Sequence, residues 1–481
     1  MSSSITEHAE DMPGAIDEHR SREMTIGLAV LGVFVTYVPI TAVAVALTTI
    51  GNATGASTSD LQWVSDSYVI PMAAAVLSAG VFGDLYGRRR IYLIGMLLTI
   101  LGAAIAGVAG TLADVSTIHL LWAGQAVSGL GAGMLLPTTL ALIGHAVPNP
   151  RERGKFIGLW ATGMMLGLAL GPLVAGGILE FAEWGWIFAP TAVLAAGAGM
   201  FAIAKLPESQ SPKGRHLDWP GQISATIAIA SSIYGIIEGG ASGWTSPHAI
   251  IGLGVAAVAF ATFVIIELRA TTPLMNLALF RAPTFSAAGF SAFIALFSIV
   301  GSMFLLSLFL GSVQQLSPLE IGWRLLFVTG IGALINPLVG LTMHRFNAMT
   351  LLAGGLALAA VGMLLLTVVD ESTGFADLAW RLAIYGFSVA VMMTSVSTAA
   401  INAVPWHLAG MAAAANTAMR QYGGALGPAV LGAVFAIRVN GGANPAAAFH
   451  TALILTAVLL AIAATGCLVA SRSSANPTNH L

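Results

Sequence analysis

A single cysteine, Cys467, in a chain of 481 residues excludes an intramolecular disulfide and any cluster of thiolate metal ligands. Charge is scarce as well. Asp, Glu, Lys and Arg together make up 8% of the residues, too few to coat a water-soluble globule of this length. No G-x-x-x-x-G-K-[ST] loop is present to cradle a nucleoside triphosphate, and no nucleophile-and-base constellation argues for an enzyme. His119, His145 and His344 have no metal-ligand spacing. No cofactor, metal, ATP or nucleic acid is therefore expected. The formal charge of -2 says little about partners, since in a bilayer the placement of charge matters more than its sum.

What fills the chain instead is apolar. Hydrophobic residues make up 57% of it and the mean hydropathy is +0.87. About 20 apolar residues cross the hydrocarbon core as a helix. Fourteen runs near that length lie close to 24–50, 61–82, 91–112, 118–147, 156–179, 185–204, 219–238, 248–267, 284–310, 319–343, 349–368, 378–404, 410–437 and 446–470. The class is an all-α membrane protein.

Residues 1–23 are polar and mostly acidic, with no apolar stretch to serve as a signal peptide, and read as a disordered cytoplasmic tail. An even number of spans puts both termini on one face. Arg22, Arg88, Arg89, Arg90, Arg269, Arg281 and Arg345 fall on that face, while Glu180, Glu183, Glu320, Asp370, Glu371 and Asp377 gather opposite, where Arg438 is the clear exception. The positive-inside rule then makes both ends cytoplasmic in a plasma-membrane protein.

One stretch organises the rest. Gly163, Gly167 and Gly171 recur every four residues and form a strip without side chains along which another helix can pack closely. Pro172 follows and withholds one backbone N–H, so a bend is expected there. Gly167, Gly171, Pro172 and Gly176 return as Gly423, Gly427, Pro428 and Gly432, each shifted by 256 positions (423 minus 167). Two copies of one bent helix imply two halves around a midplane site. The spans divide into a six-helix bundle at 24–204, an inserted hairpin at 219–267 and a second six-helix bundle at 284–470. The linkers are 205–218, the likeliest hinge region, and 268–283, and a cytoplasmic tail follows at 471–481.

The second span closes on G-V-F-G-D-L-Y-G-R-R-R, where Gly80, Gly83 and Gly87 permit a tight turn, Asp84 can pair with an arginine, and Arg88 and Arg89 anchor to headgroups. Gly129-Leu-Gly-Ala-Gly133 has the look of a nucleotide loop, but it follows no strand and reads as helix packing.

These stretches resemble the major facilitator superfamily, specifically its fourteen-span drug:proton antiporters of the EmrB/QacA type. The resemblance implies the major facilitator fold, two six-helix bundles plus an inserted two-helix hairpin. Gly80 to Arg90 matches that superfamily's loop motif, with Leu85 where an arginine is usual, and Gly163 to Gly177 matches its antiporter-type helix motif. Two departures bear on coupling. Pro39 stands where the family often has an aspartate and Gln125 where it usually has an arginine, so neither role carries over.

A charge near the midplane costs roughly 2.5–3.5 kcal/mol on insertion scales, so those that persist are functional candidates. Asp66, about one turn into the second span, is the candidate proton carrier, able to take a proton at one face and release it at the other. The plainer reading is a wetted residue at a cavity mouth. Arg420 could grip a carboxylate or brace carbonyls at the second bend. Tyr37, Trp63, Gln125, Gln314, Gln315, Asn336 and Asn416 are polar or aromatic groups that could line a cavity between the halves, each equally readable as an anchor or a helix-to-helix hydrogen bond.

The expected function is export of a small-molecule drug or secondary metabolite by proton antiport and alternating access, the proton gradient supplying the energy and the protein acting as a monomer. Few membrane carboxylates favour neutral or anionic cargo over multicationic dyes. An uptake symporter or uniporter of the same fold, and a non-transporting sensor, are the alternatives.

Overall fold

The computed structural model describes residues 13–112, 117–147, 150–210, 218–270, 273, 275–343, 345–404 and 409–474. In chain order the helices are α1 (Pro13–Thr54), α2 (Thr58–Tyr86), α3 (Arg88–Ala109), α4 (Thr117–Ala146), α5 (Pro150–Leu179), α6 (Ala189–Lys205) and α7 (Trp219–Ser242). They continue as α8 (Pro247–Arg269), α9 (Pro283–Leu308), α10 (Pro318–Thr342), α11 (Ala348–Leu366), α12 (Phe375–Asn402), α13 (Ala409–Asn440) and α14 (Pro445–Ser474). Strands are absent among the described residues. Helices suit an apolar chain, because backbone polar groups in hydrocarbon must be satisfied within their own segment. Thirteen described helices are long and apolar enough to cross a membrane, and bent α2 brings the number to fourteen when its two arms count as one span.

The packing repeats. α1 lies on α5 and α4, α2 on α4, and α3 on α4 and α6; the same relations recur as α9 on α13 and α12, α10 on α12, and α11 on α12 and α14. Between these sets α5 meets α10 and α2 meets α13, while α7 pairs with α8 and lies along both α2 and α13. Even the starts correspond. α2 opens with a capping box of Ser57 and Asp60, and α10 opens with the same box of Ser317 and Glu320.

Glycines explain how closely these helices approach. A Cβ on Gly163 would lie 2.8 Å from Val30 Cγ1, on Gly167 2.8 Å from the Phe34 carbonyl oxygen, and on Gly171 2.7 Å from that of Val38. The strip is packed against α1 along its length. In the second copy Gly423 and Gly427 rest on α9 at the carbonyls of Phe293 and Phe297. The last glycine of each copy crosses to the other set: Gly176 meets Pro318 and Leu319 of α10, and Gly432 meets Gln62 of α2. Gly311, in the π-helical turn 309–313 that follows α9, against Thr48 and the Ser307 hydroxyl of α9 on the Ala44 carbonyl add contacts to α1 near the same end. This is the end carrying Glu180, Glu320 and Asp370, called here the acidic end; the other, carrying Arg22 and Arg88, is the basic end. In α4, Gly129 and Gly133 lie on Tyr68 and Met72 of α2 while Gly131 lies on Gly95 of α3, so that run is a packing surface.

Two expectations are corrected. The N-terminal tail does not stop at residue 23: the helix begins at Pro13, and Arg22 holds Glu152 at 2.7 Å; residues 1–12 lie outside the described residues. α14 likewise reaches Ser474, with 475–481 outside them. α5 and α13 run through Pro172 and Pro428 without a break. The sharp bend, 52°, falls in α2 between its arms Thr58–Val76 and Ser78–Tyr86.

Candidate functional site

The polar groups singled out in the sequence are not exposed on an open chamber. Tyr37, Asp66, Gln125, Asn336, Asn416 and Arg420 are all buried. Asp66 is the extreme case, at 0% exposure, with neither carboxyl oxygen hydrogen-bonded among the described residues. It lies about two turns into α2, which starts at Thr58, and in this conformation it is closed off from any cavity mouth.

Two residues further along α2, three helices come together. The Tyr68 hydroxyl donates to the Thr36 carbonyl of α1 at 2.6 Å, and Tyr37, the next residue of α1, stands beside Tyr68, Gln421 and the Arg420 guanidinium of α13. Arg420 is 5% exposed and, among the described residues, its Nε has no partner and the Asn416 amide nitrogen, one turn earlier, has none either. Gln62, one turn before Asp66 on α2, is 1% exposed with both amide atoms unpaired among the described residues. Each buried polar group left without a partner costs roughly 1–3 kcal/mol. A concentration of them inside the spans of α1, α2 and α13 marks the candidate site. Sequence reasoning missed Gln62 and Gln421, although Gln62 precedes Asp66 by one helical turn and Gln421 adjoins Arg420.

Two candidates have other roles. Gln125 of α4 donates through Nε2 to the Val64 carbonyl at 3.2 Å, bracing the turn of α2 that carries Asp66. The Asn336 side chain of α10 accepts from the Thr394 hydroxyl of α12, away from the cluster. Gln314 and Gln315 leave the site altogether. Gln314 Nε2 donates to the Asp370 carbonyl at 2.7 Å in the loop after α11, and Gln315 bonds the Ser312 carbonyl. Trp63 belongs to an aromatic group with Trp122 and Tyr234.

At the basic end the loop motif is assembled as a clamp. Asp84 holds Arg88 at 2.9 Å, and Arg88 reaches the Ala141 carbonyl of α4. Glu208 completes the turn: its Oε1 accepts from the Arg89 backbone N–H at 3.1 Å, placing a carboxylate at the N-terminus of α3, where the helix dipole favours it. The Ser209 carbonyl accepts from the Arg88 N–H, and Arg89 Nη2 bonds the Ile203 carbonyl. The start of the linker 205–218 is thus held against the first turn of α3; 211–217 lie outside the described residues. Gly87 sits at φ +108°, and a Cβ there would lie 2.5 Å from Glu208 Oε1. Gly87→Ala should therefore cost about 1–3 kcal/mol, read as a lower melting temperature. Gly80→Ala, whose nearest neighbour would be Pro137 Cβ at 3.7 Å, should leave it unchanged.

The family model described as Major Facilitator Superfamily matches residues 29–428. The chain belongs to that superfamily. Among curated proteins it is 33% identical over 429 residues to the multidrug resistance protein Stp of Mycobacterium tuberculosis (strain CDC 1551 / Oshkosh), covering 89% of this chain and 78% of that one. It is 29% identical over 425 residues to the tetracenomycin C resistance and export protein of Streptomyces glaucescens, covering 88% and 77%. Among solved structures, the human organic anion transporter MFSD10 superposes with a TM-score of 0.65 at 15% identity, covering 93% of this chain and 99% of that one. The xylose transporter XylE of E. coli gives 0.63 at 14%, covering 92% and 98%. At those identities the likeness is one of fold. The superfamily member described here is a multi-pass membrane protein, and its family is one of transporters.

Proposed function

We propose that this protein is a secondary active transporter that exports a drug, antibiotic or other secondary metabolite across the plasma membrane by proton antiport and alternating access. The names of the similar proteins, multidrug resistance and tetracenomycin C export, support the export reading. The observation that carries proton coupling is Asp66, wholly buried and unpaired on a helix where the two repeated sets meet. The bundles 24–204 and 284–470 move against each other as a monomer, with the basic end in the cytoplasm. Protons and cargo are the partners, without ATP or any cofactor. Cargo is neutral or anionic, because the buried cation is Arg420, with no ion pair among the described residues, and a guanidinium can hold a carboxylate by two hydrogen bonds.

The test is accumulation of labelled tetracenomycin C, methylenomycin A and ethidium in inverted vesicles, with and without an imposed pH gradient. Accumulation of at least one compound, collapsing with the gradient, is expected. Gradient-independent flux would overturn antiport, and flux in the opposite sense would overturn export.

A further inference from the structure

The sharp bend in α2 has no proline at its apex: the arms meet between Val76 and Ser78, and the one proline of the helix, Pro71, lies earlier. A side chain from another helix sits there instead. Gln222, in the first turns of α7, donates through Nε2 to the Ala74 carbonyl and accepts through Oε1 from the Ser78 hydroxyl at 2.7 Å. Ala74 and Ser78 are four apart, so one amide bridges a full turn across the junction of the two arms and shares the ladder's acceptor at the Ala74 carbonyl, whose two lone pairs admit a second donor. Insertion of a side chain into that ladder is an established cause of a sharp kink. Gln222 is 8% exposed and Ser78 4%, so water does not compete readily for either group. α7 is held in register along α2 on both sides of this point, by Trp219 against Phe82 and Tyr234 against Trp63.

We infer that Gln222 is a positioning residue: it sets the bend of α2 and so fixes how the arm carrying Asp66 is aimed relative to the arm carrying Asp84. This gives the inserted pair α7 and α8 a task. The pair is a splint whose working contact is one amide, and it acts on the helix that links the buried carboxyl to the basic-end clamp. The inference rests on the transport reading only for its second measurement.

The experiment places spin labels at the two ends of α2, at Ser59→Cys and Tyr86→Cys, in the full-length protein; Cys467, fully buried, stays unlabelled. Gln222→Leu keeps the bulk and removes both hydrogen bonds. From a rise of 1.5 Å per residue, straightening a 52° bend lengthens the separation of the labels by about 4 Å. Ser78→Ala, which removes one of the two bonds, should give a smaller lengthening, and it decides the matter should Gln222→Leu fail to fold. In vesicles, Gln222→Leu should lower the maximal rate of tetracenomycin C transport at least about tenfold. The half-saturating concentration should stay within about twofold, because Gln222 touches no residue of the polar cluster. An unchanged label distance in both variants overturns the inference, whatever the flux. A lengthened α2 with an unchanged maximal rate overturns the positioning role. Should the wild type move no tetracenomycin C, the export reading loses that cargo and the label distances still decide whether Gln222 sets the bend.

Discussion

Asp66→Asn gives transport that no longer responds to a pH gradient: uptake into inverted vesicles falls to that of vesicles without protein. Downhill exchange of preloaded cargo survives. The side chain keeps its shape and loses only the proton it could carry. Among the described residues nothing holds the carboxylate, so its replacement breaks no hydrogen bond there and the melting temperature should not fall. The expectation is specific to this position. Asp84→Asn severs the pair with Arg88 at 2.9 Å and lowers stability without making flux blind to pH. Full gradient-driven flux in Asp66→Asn would remove the residue from the mechanism and leave proton coupling without a carrier.

The second large effect separates packing within a half from packing between halves. Gly423 lies on the Phe293 carbonyl of α9, inside one set of helices, so Gly423→Val forces two backbones apart within a bundle that must stay intact. Overpacking of this kind costs about 1–3 kcal/mol or more, and the expected outcome is loss of folded protein on a size-exclusion column. Gly176 lies on Pro318 and Leu319 of α10, across the junction, where a Cβ would come within 2.7 Å of the Pro318 carbonyl oxygen. Gly176→Leu should leave each bundle folded and keep the acidic end from closing. Labels at the exposed positions Phe181 and Trp323 should then report a wider separation than in the wild type, with transport stalled. Loss of fold in Gly176→Leu, with Gly423→Val unaffected, would reverse the assignment of the two contacts.

The helices and their repeat were legible because they are written in long apolar runs and in glycines at fixed intervals. Gly167, Gly171 and Gly176 do what their counterparts Gly423, Gly427 and Gly432 do, against equivalent partners. Asp66 and Arg420 were legible too, since a charge in an apolar span stands out. The partners of these groups were not. Gln62 and Gln421 lie one helical turn or one residue from the obvious charges, but an amide in a helix carries no mark of where it points. The kink in α2 was hidden for a related reason: proline announces a missing donor in its own helix, whereas this contact comes from Gln222, 148 residues away from Ala74 in sequence. Glu208 was hidden in a linker whose prolines read as slack chain, though its carboxylate is seated on the first turn of α3.

The acidic-end contacts between the two sets have a thermodynamic corollary. Where Gly176 meets Pro318 and Gly311 meets Thr48, one of the two surfaces is bare backbone. Freezing a long side chain on closure costs up to about 1.5–2 kcal/mol of rotamer freedom, and glycine has none to lose. This face can be made and unmade with little side-chain entropy at stake on its glycine side.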